Sequence, residues 1–190
     1  MVYDHQSLSA FLSNGAEHPY MEPRIFLNLA WLYAEMDIFE LAEYYAKKSY
    51  VSTTKANQYS HLSSSLQVLA YCASKQQNYK EAVSYARAAL KISLKYKESF
   101  EILYSKATLA GYLKDIEGAE KEEAQYWKEI DSILQGLKNY EKDLSILKDI
   151  SAYYKREKNY PKAIAYLEEH AEIKKEIYTL DVREIQADFE

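Results

Sequence analysis

The sequence is poor in residues that break helices and in residues that cross-link a chain. Four glycines, three prolines and one cysteine occur among its 190 residues. Strand-rich folds need frequent turn residues, so this scarcity favours long helices. The single cysteine, Cys72, excludes an internal disulfide and is compatible with a reducing compartment. No apolar run approaches the roughly 20 residues of a spanning helix, and the first residues do not resemble a signal peptide.

An excess of positive charge is also absent. The formal net charge is −5 and the isoelectric point is about 5.5. Because affinity for nucleic acid comes mostly from cations that neutralise phosphates, we expect no nucleic-acid partner. We also expect no membrane insertion in this segment. A cytoplasmic location is the expectation, and the extracytoplasmic sensor region of a membrane protein is the alternative.

Side chains that carry chemistry are scattered along the chain. The four histidines show no i, i+4 pair and have no cysteine nearby, whereas zinc needs three or four converging ligands. No glycine-rich phosphate loop occurs. Cys72 lies in a helical pattern and is interpreted as a small buried thiol. We therefore expect no enzyme activity, no catalytic residue, no metal and no cofactor.

What the sequence does contain is an internal repeat. Four segments, 39–42, 79–82, 116–119 and 160–163, each have a large apolar residue followed three positions later by alanine, and the alanine intervals are 82−42=40, 119−82=37 and 163−119=44. Twelve positions before each alanine lies a small residue: Ala30, Ala70, Ala107 and Ser151. Small residues at fixed points let antiparallel helices approach closely. Each unit is therefore predicted to be a helix–turn–helix that must stack on its neighbours.

The repeat predicts helices and a domain organisation. With 48% hydrophobic residues, the chain can bury a sizeable core. Residues 1–22 are predicted to be a capping segment with a short helix near Gln6–Ser13, or alternatively the remnant of an earlier repeat. Residues 23–179 are predicted to be a repeat array, and residues 180–190 a helical extension. The predicted helices of the array and extension are 24–36, 39–52, 58–76, 79–95, 97–114, 117–135, 140–157 and 160–187.

Polar residues near the turns predict helix caps. Asn78, Asp115 and Asn159 each precede the second helix of a unit, where an N-cap accepts an orphan backbone N–H. Glu81 would complete a capping box with Asn78. In the first unit the candidate cap is Asp37, one position further back. Gly136 and Asn139 indicate a stop and a new cap between the third and fourth units, and Lys106 and Glu123 make the third unit degenerate.

This pattern resembles the tetratricopeptide repeat family. The match covers about residues 23–178 and implies an all-α fold: a right-handed α-α superhelix of about four helical hairpins with an extended C-terminal helix. The intervals exceed the family's usual repeat of about 34 residues, so longer helices are expected. The matching positions are Phe26, Leu29, Ala30, Tyr33, Phe39, Ala42, Ala46, Leu66, Leu69, Ala70, Tyr79, Ala82, Ala86, Ala89, Leu147, Ile150, Tyr154, Tyr160, Ala163 and Leu167.

The tail resembles a narrower group. Residues 160–178 and 183–190 are similar to the end of repeat domains in bacterial sensor proteins of the diguanylate cyclase and histidine kinase type. That likeness implies the sensory or scaffolding region of a longer signalling protein, with its output module outside these residues. Tyr178, Val182, Ile185 and Phe189 form one helical stripe, which predicts either a coiled coil towards an output module or a face that closes the array. A free-standing adaptor and a homodimer through the C-terminal helix are the alternatives.

The family resemblance also implies where a protein or peptide ligand would bind. In this family the groove is lined by the first helix of each unit. Its aromatic members here would be rigid anchors, and Lys155 with Arg156 would pair with a carboxylate. The alternative is that several rings only fill space between units. The groove residues carried over are Arg24, Leu27, Asn28, Trp31, Glu35, Gln67, Tyr71, Lys75, Tyr104, Thr108, Tyr112, Lys148, Lys155 and Arg156.

Overall fold

The computed structural model describes residues 22–56, 60–96, 99–138 and 142–187, and all regular structure within them is helical. The predicted all-α class is confirmed. The predicted helix near Gln6–Ser13, Asn139 and Phe189 lie outside the described residues. The helices are α1 (Glu22–Glu35), α2 (Phe39–Ala56), α3 (Ser60–Lys75), α4 (Tyr79–Tyr96), α5 (Ser99–Leu113), α6 (Glu120–Gly136), α7 (Leu144–Arg156) and α8 (Tyr160–Ala187).

The chain forms two compact units, which are described separately. Unit 1 ends at Ile116 and unit 2 begins at Glu117. In unit 1, α1 and α2 form one hairpin, α3 and α4 form the next, and α5 packs on α4. The first helices of successive repeats also meet, because α3 packs against both α1 and α5. In unit 2, α7 and α8 form a hairpin, and α6 packs on α7.

One turn geometry closes three of the hairpins. Asp37, Gln77 and Lys158 are left-handed, with φ of 57°, 61° and 60°. The next residue in each turn donates its N–H to a carbonyl five positions earlier, as Ile38 does to Tyr33 at 2.9 Å. This is the Schellman arrangement that satisfies the last carbonyls of a helix. The expectation that Asp37 is an N-cap is wrong, because Asp37 ends α1 and does not begin α2.

The other predicted caps have mixed outcomes. Asn159 accepts the backbone N–H of Lys162 through its side chain at 3.4 Å, as an N-cap should. The Asn78 amide instead donates to the Glu81 carboxylate. The N-cap of α7 is Asp143, whose carboxylate accepts hydrogen bonds from the backbone N–H groups of Ser145 and Ile146 at 2.7 and 3.3 Å. Helix α7 therefore begins at residue 144, four residues later than predicted.

The third repeat departs from the predicted alignment. Its second helix, α6, begins at Glu120 and not near 117, because Gly118 has φ of 82° and ends the turn. Asp115 is therefore not the cap of α6. Ala119 occupies the N-cap position, whereas Ala42, Ala82 and Ala163 lie inside helices. Helix α5 belongs to unit 1 and α6 to unit 2.

Alanines make the tight core of unit 1. Ala30 and Ala34 of α1 and Ala42 and Ala46 of α2 have no exposed surface. They form one cluster with α3 residues that include Leu69 and Cys72, and Trp31 packs against its edge. Without side chains beyond Cβ, these positions bring the helix backbones close together. The close approach that the sequence predicts is confirmed in this hairpin.

Unit 2 is held together by larger side chains and by two buried carboxylates. Trp127 and Ile130 of α6 and Ile150 of α7 are almost fully buried. Asp131 of α6 accepts hydrogen bonds from α7 and α8, and Glu123 of α6 pairs with Arg156 of α7. Apolar packing and charge pairing therefore both attach α6 to the α7–α8 hairpin.

Candidate functional site

Three helices of unit 1 present predicted site residues on one side. We call the side formed by α1, α3 and α5 the first-helix face. The small residues Ala30, Ala70 and Ala107 set a common register for the three helices. One position after them lie Trp31, Tyr71 and Thr108, and five positions after them lie Glu35, Lys75 and Tyr112. Because α3 lies beside both α1 and α5, side chains in one register form rows across the face.

The centre of the face is an aromatic pair from two helices. The rings of Trp31 and Tyr71 are tilted against each other, with centroids 6.0 Å apart. Both are half-buried, so each ring has a packed side and an accessible edge. The Lys75 ammonium lies 5.2 Å from the Tyr71 centroid, in the geometry of a cation–π contact. An apolar surface and a cation thus lie next to each other on α3.

The Tyr112 phenol connects α5 to the cluster of Trp31, Tyr71 and Lys75. It shares a side-chain hydrogen bond with Ser74 of α3 and lies in the electrostatic field of Tyr71 and Tyr104. Burial raises the pKa of Tyr112 to about 12, and the hydrogen bond with Ser74 offsets only part of that shift. The phenol is therefore neutral across the physiological range and offers a polar group without a charge.

A further ring extends the aromatic surface along α5. Tyr104 and Phe100 stack with centroids 6.4 Å apart and planes inclined by 21°. Phe100 is more than half exposed, and the sequence reasoning missed it. The signal was present, since residues four apart on a helix are neighbours. The face therefore carries aromatic rings from α1, α3 and α5.

Two predicted members of the groove are buried. Leu27 belongs to the alanine-lined core of unit 1. Gln67 is only 4% exposed, and its amide donates to the Ser105 hydroxyl at 3.0 Å and to Ser63 at 3.4 Å. Ser63 lies 2.8 Å from the Ser93 oxygen, which completes a buried polar cluster among α3, α4 and α5. Gln67 therefore links α3 to α5 beneath the first-helix face.

The remaining predicted residues of unit 1 form the rim of the face. Arg24, Asn28 and Glu35 of α1 are exposed, and Thr108 of α5 is half-buried. The α1 edge thus carries one cation, one amide and one acid. These polar groups flank the rings as the rim of a binding surface does.

The predicted residues of unit 2 have different surroundings. Lys148 and Lys155 are exposed on α7. Arg156 forms a short ion pair with Glu123, and its guanidinium lies 5.6 Å from the Tyr153 centroid. Because Arg156 already has an internal carboxylate partner, its predicted role as a carboxylate ligand has no geometric support.

Three other kinds of site concern the described residues: a metal site, a membrane-spanning helix and a reactive thiol. No group of three or more histidine, cysteine, aspartate or glutamate side chains converges there to hold a metal ion. No described helix has both the length and the apolar character that crossing a membrane requires. Cys72 is fully buried, and burial raises the pKa of its thiol to about 11. That thiol is protonated and enclosed, in keeping with the structural role that the sequence predicts.

The fold defines the class of this protein. Antiparallel helical hairpins that share one turn geometry and a register of small residues define a helical-repeat fold with tetratricopeptide-like hairpins.

Solved structures agree with this class. One similar structure is a Rap protein complexed with competence and sporulation factor, with a TM-score of 0.68 and 16% identity over 83% of this chain. Another is the apo form of RapI, with a TM-score of 0.68 and 15% identity over 96% of this chain. This chain spans 45% of the first neighbour's length and 67% of the second's. At such identity the likeness shows the helical-repeat fold.

The sequence comparisons add no closer relative. No model of a protein family matches the chain, and no curated protein matches it. Nothing in the comparisons links it to a diguanylate cyclase or a histidine kinase.

Proposed function

We propose that this chain is a binding module whose first-helix face in unit 1 holds a peptide or a peptide-like segment of a partner protein. The observation that carries the proposal is the half-buried Trp31–Tyr71 pair between α1 and α3, with Lys75 beside it. Rigid aromatic rings lose little conformational entropy on binding, and such residues dominate the energy of interfaces. The fold shared with a Rap protein in complex with competence and sporulation factor supports the same class of function.

The chemistry of the face favours a particular kind of segment. An apolar or aromatic ligand side chain would pack on the accessible edges of Trp31 and Tyr71. An acidic group next to that side chain would meet the Lys75 ammonium. The neutral Tyr112 phenol would supply a hydrogen bond without attracting a counter-charge. We therefore expect selected ligands to combine an apolar anchor with a nearby carboxylate.

The test uses a displayed library of random heptapeptides selected on the full chain. Peptides enriched on the wild type should bind Trp31→Ala or Tyr71→Ala at least about 30-fold more weakly, because a lost aromatic anchor costs about 2 kcal/mol. Fluorescence anisotropy of a labelled selected peptide measures the affinity. Leu94→Ala, an exposed position on α4, is the matched control and should leave the affinity unchanged.

If the enriched peptides bind the Trp31→Ala, Tyr71→Ala double variant as tightly as the wild type, the first-helix face is not their site. Circular dichroism of each variant checks that the helices remain folded. Lys75→Gln should weaken only those peptides that contain an acidic residue.

We also propose that the module acts in signal transduction and is not a passive adaptor. The support is the resemblance of its tail to bacterial sensor proteins and the fold that it shares with a Rap protein. A ligand shifts a conformational equilibrium only if it binds one state more tightly than another. A selected peptide should therefore slow hydrogen exchange in α2 and α4, which lie outside the face. Protection confined to α1, α3 and α5 would favour the adaptor.

A further inference from the structure

An exposed apolar stripe runs along α8 of unit 2. Tyr160, Ile164, Leu167 and Tyr178 are 56%, 53%, 50% and 69% exposed. With Ala171 they are spaced 4, 3, 4 and 7 residues apart, a heptad spacing in which the exposed Lys174 occupies the position between Ala171 and Tyr178. Another side of α8, with Ala163, Tyr166 and Ile173, is buried within unit 2. The stripe is therefore a second apolar side of a helix whose first side is already packed.

We propose that this stripe is a self-association surface, on which α8 of a second copy of the chain packs antiparallel, centred on Ala171. This proposal concerns unit 2 and is independent of the peptide site proposed in unit 1. The partner is a second copy because the stripe and its flanking charges are complementary to themselves.

The register follows from the positions of the apolar residues. In an antiparallel pair, a residue of one copy lies opposite a residue of the other copy when the mean of their two numbers equals the number of the residue at the two-fold axis. Ile164 then faces Tyr178 of the other copy, since (164+178)/2=171. Ala171 lies at the axis, where a small side chain lets the two helices approach closely.

The flanking charges favour the same register. Glu168 and Lys175 are both exposed and, being seven residues apart, lie on the same flank of the stripe. Their mean, (168+175)/2=171.5, lies half a residue from the axis, so each Glu168 would lie beside Lys175 of the other copy on the flank of the seam. A parallel pair would instead bring this flank against the other flank of the second copy, so Glu168 and Lys175 would not meet. Two symmetric attractive contacts therefore select the antiparallel arrangement.

The available area is enough for a moderate dimer. The four large side chains leave on the order of 400–500 Å² exposed per copy, at the upper end of apolar patches on monomeric proteins. Two copies would bury on the order of 1,000 Å², near the lower limit of a specific interface. We therefore expect a dissociation constant on the order of micromolar.

Sedimentation equilibrium of the full chain, from about 1 µM to about 500 µM, tests the proposal. The wild type should pass from monomer to dimer over this range. The double variant Ile164→Asp, Leu167→Asp should remain monomeric, because it places charges on the seam. The matched control Leu94→Asp changes an equally exposed apolar residue of α4 and should dimerise like the wild type. A wild type that is monomeric throughout, or a dimer that survives the double variant, would overturn the proposal.

A charge exchange tests the register and does not depend on changes to apolar residues. Glu168→Lys and Lys175→Glu should each weaken the dimer about tenfold, since each places like charges opposite each other twice. The variant that carries both substitutions should regain the wild-type affinity. If the double exchange dimerises no better than the single variants, the antiparallel pairing about Ala171 is wrong.

Discussion

Replacing Asp131 with alanine is expected to lower the free energy of unfolding of unit 2 by about 3 kcal/mol. Asp131 lies on α6 and is buried, with 8% of its surface exposed. Its carboxylate accepts hydrogen bonds from the Tyr154 hydroxyl at 2.8 Å and the Lys162 ammonium at 2.6 Å, and a short one from the Tyr166 hydroxyl. Gln135 donates from the same helix at 3.3 Å. Loss of the carboxylate leaves these donors without their acceptor, and that loss is the physical cause of the effect.

The two tryptophans allow the units to be followed one at a time. Trp31 lies in unit 1 and Trp127 lies in unit 2, where its ring stacks on Tyr153 with centroids 5.6 Å apart. Urea unfolding of Asp131→Ala in a Trp31→Phe background, followed by Trp127 fluorescence, therefore measures unit 2. Glu172→Ala removes an exposed acid of α8 and should change the stability by less than about 0.5 kcal/mol. An Asp131→Ala midpoint equal to that of Glu172→Ala would contradict the prediction.

The same carboxylate should make unit 2 sensitive to acid. Burial is the largest single influence on Asp131 and would raise its pKa, but the hydrogen bonds from Lys162, Tyr166 and Tyr154 together outweigh it. The pKa therefore lies below its ordinary value. A depressed carboxyl pKa adds stability that is fully present above the unfolded pKa of about 3.9 and disappears as the pH falls through the folded pKa.

Comparison with Asp131→Asn isolates this effect, because asparagine keeps an acceptor oxygen but cannot titrate there. The stability difference between wild type and Asp131→Asn should be constant near neutral pH and should shrink below about pH 4. Urea midpoints at several acidic pH values measure this difference. A difference that stays the same down to the acid unfolding transition would rule out Asp131 as a source of the acid sensitivity.

The sequence predicted what depends on local spacing. Small residues at Ala30, Ala42, Ala70 and Ala82 identified two hairpins, because helix contacts recur at fixed intervals from a turn. It did not predict the Asp131 cluster, whose partners are 23, 31 and 35 residues away along the chain. No local periodicity brings such partners together. Only the packing of three helices places two phenols and an ammonium around one carboxylate.

The candidate site also combines features that local spacing predicts with features that depend on distant partners. Trp31 and Tyr71 were predicted on the face, and they meet there because their helices are neighbours in register. Gln67 lies one helical turn before Tyr71, yet its side chain turns inward because Ser63 and Ser105 offer buried hydroxyls. Position on a helix therefore predicted which side a residue occupies. The partners on the next helices decided whether the side chain remained at the surface.

In the third repeat the aligned alanine precedes its helix, and this difference tests whether close helix packing sets the cost of enlarging these alanines. Ala42 and Ala119 hold equivalent places in the sequence pattern, but Ala42 is inside α2 with no exposed surface, whereas Ala119 precedes α6. Ala42→Leu should lower the free energy of unfolding of unit 1 by about 3 kcal/mol, because three added carbons must fit between close-packed backbones. Ala119→Leu, at an N-cap position with 9% exposure, should cost about 1 kcal/mol or less.

The measurement again relies on one tryptophan in each unit. Trp31 packs against the cluster that contains Ala42, so a Trp127→Phe background reports on unit 1. Ala119→Leu is followed in the Trp31→Phe background, where Trp127 reports on unit 2. Equal losses at the two positions would mean that the interval between alanines, and not the close contact between helices, sets the cost. A large loss confined to Ala42→Leu would instead assign the repeat's stability to the contact itself, since the two positions share the pattern and differ in their packing.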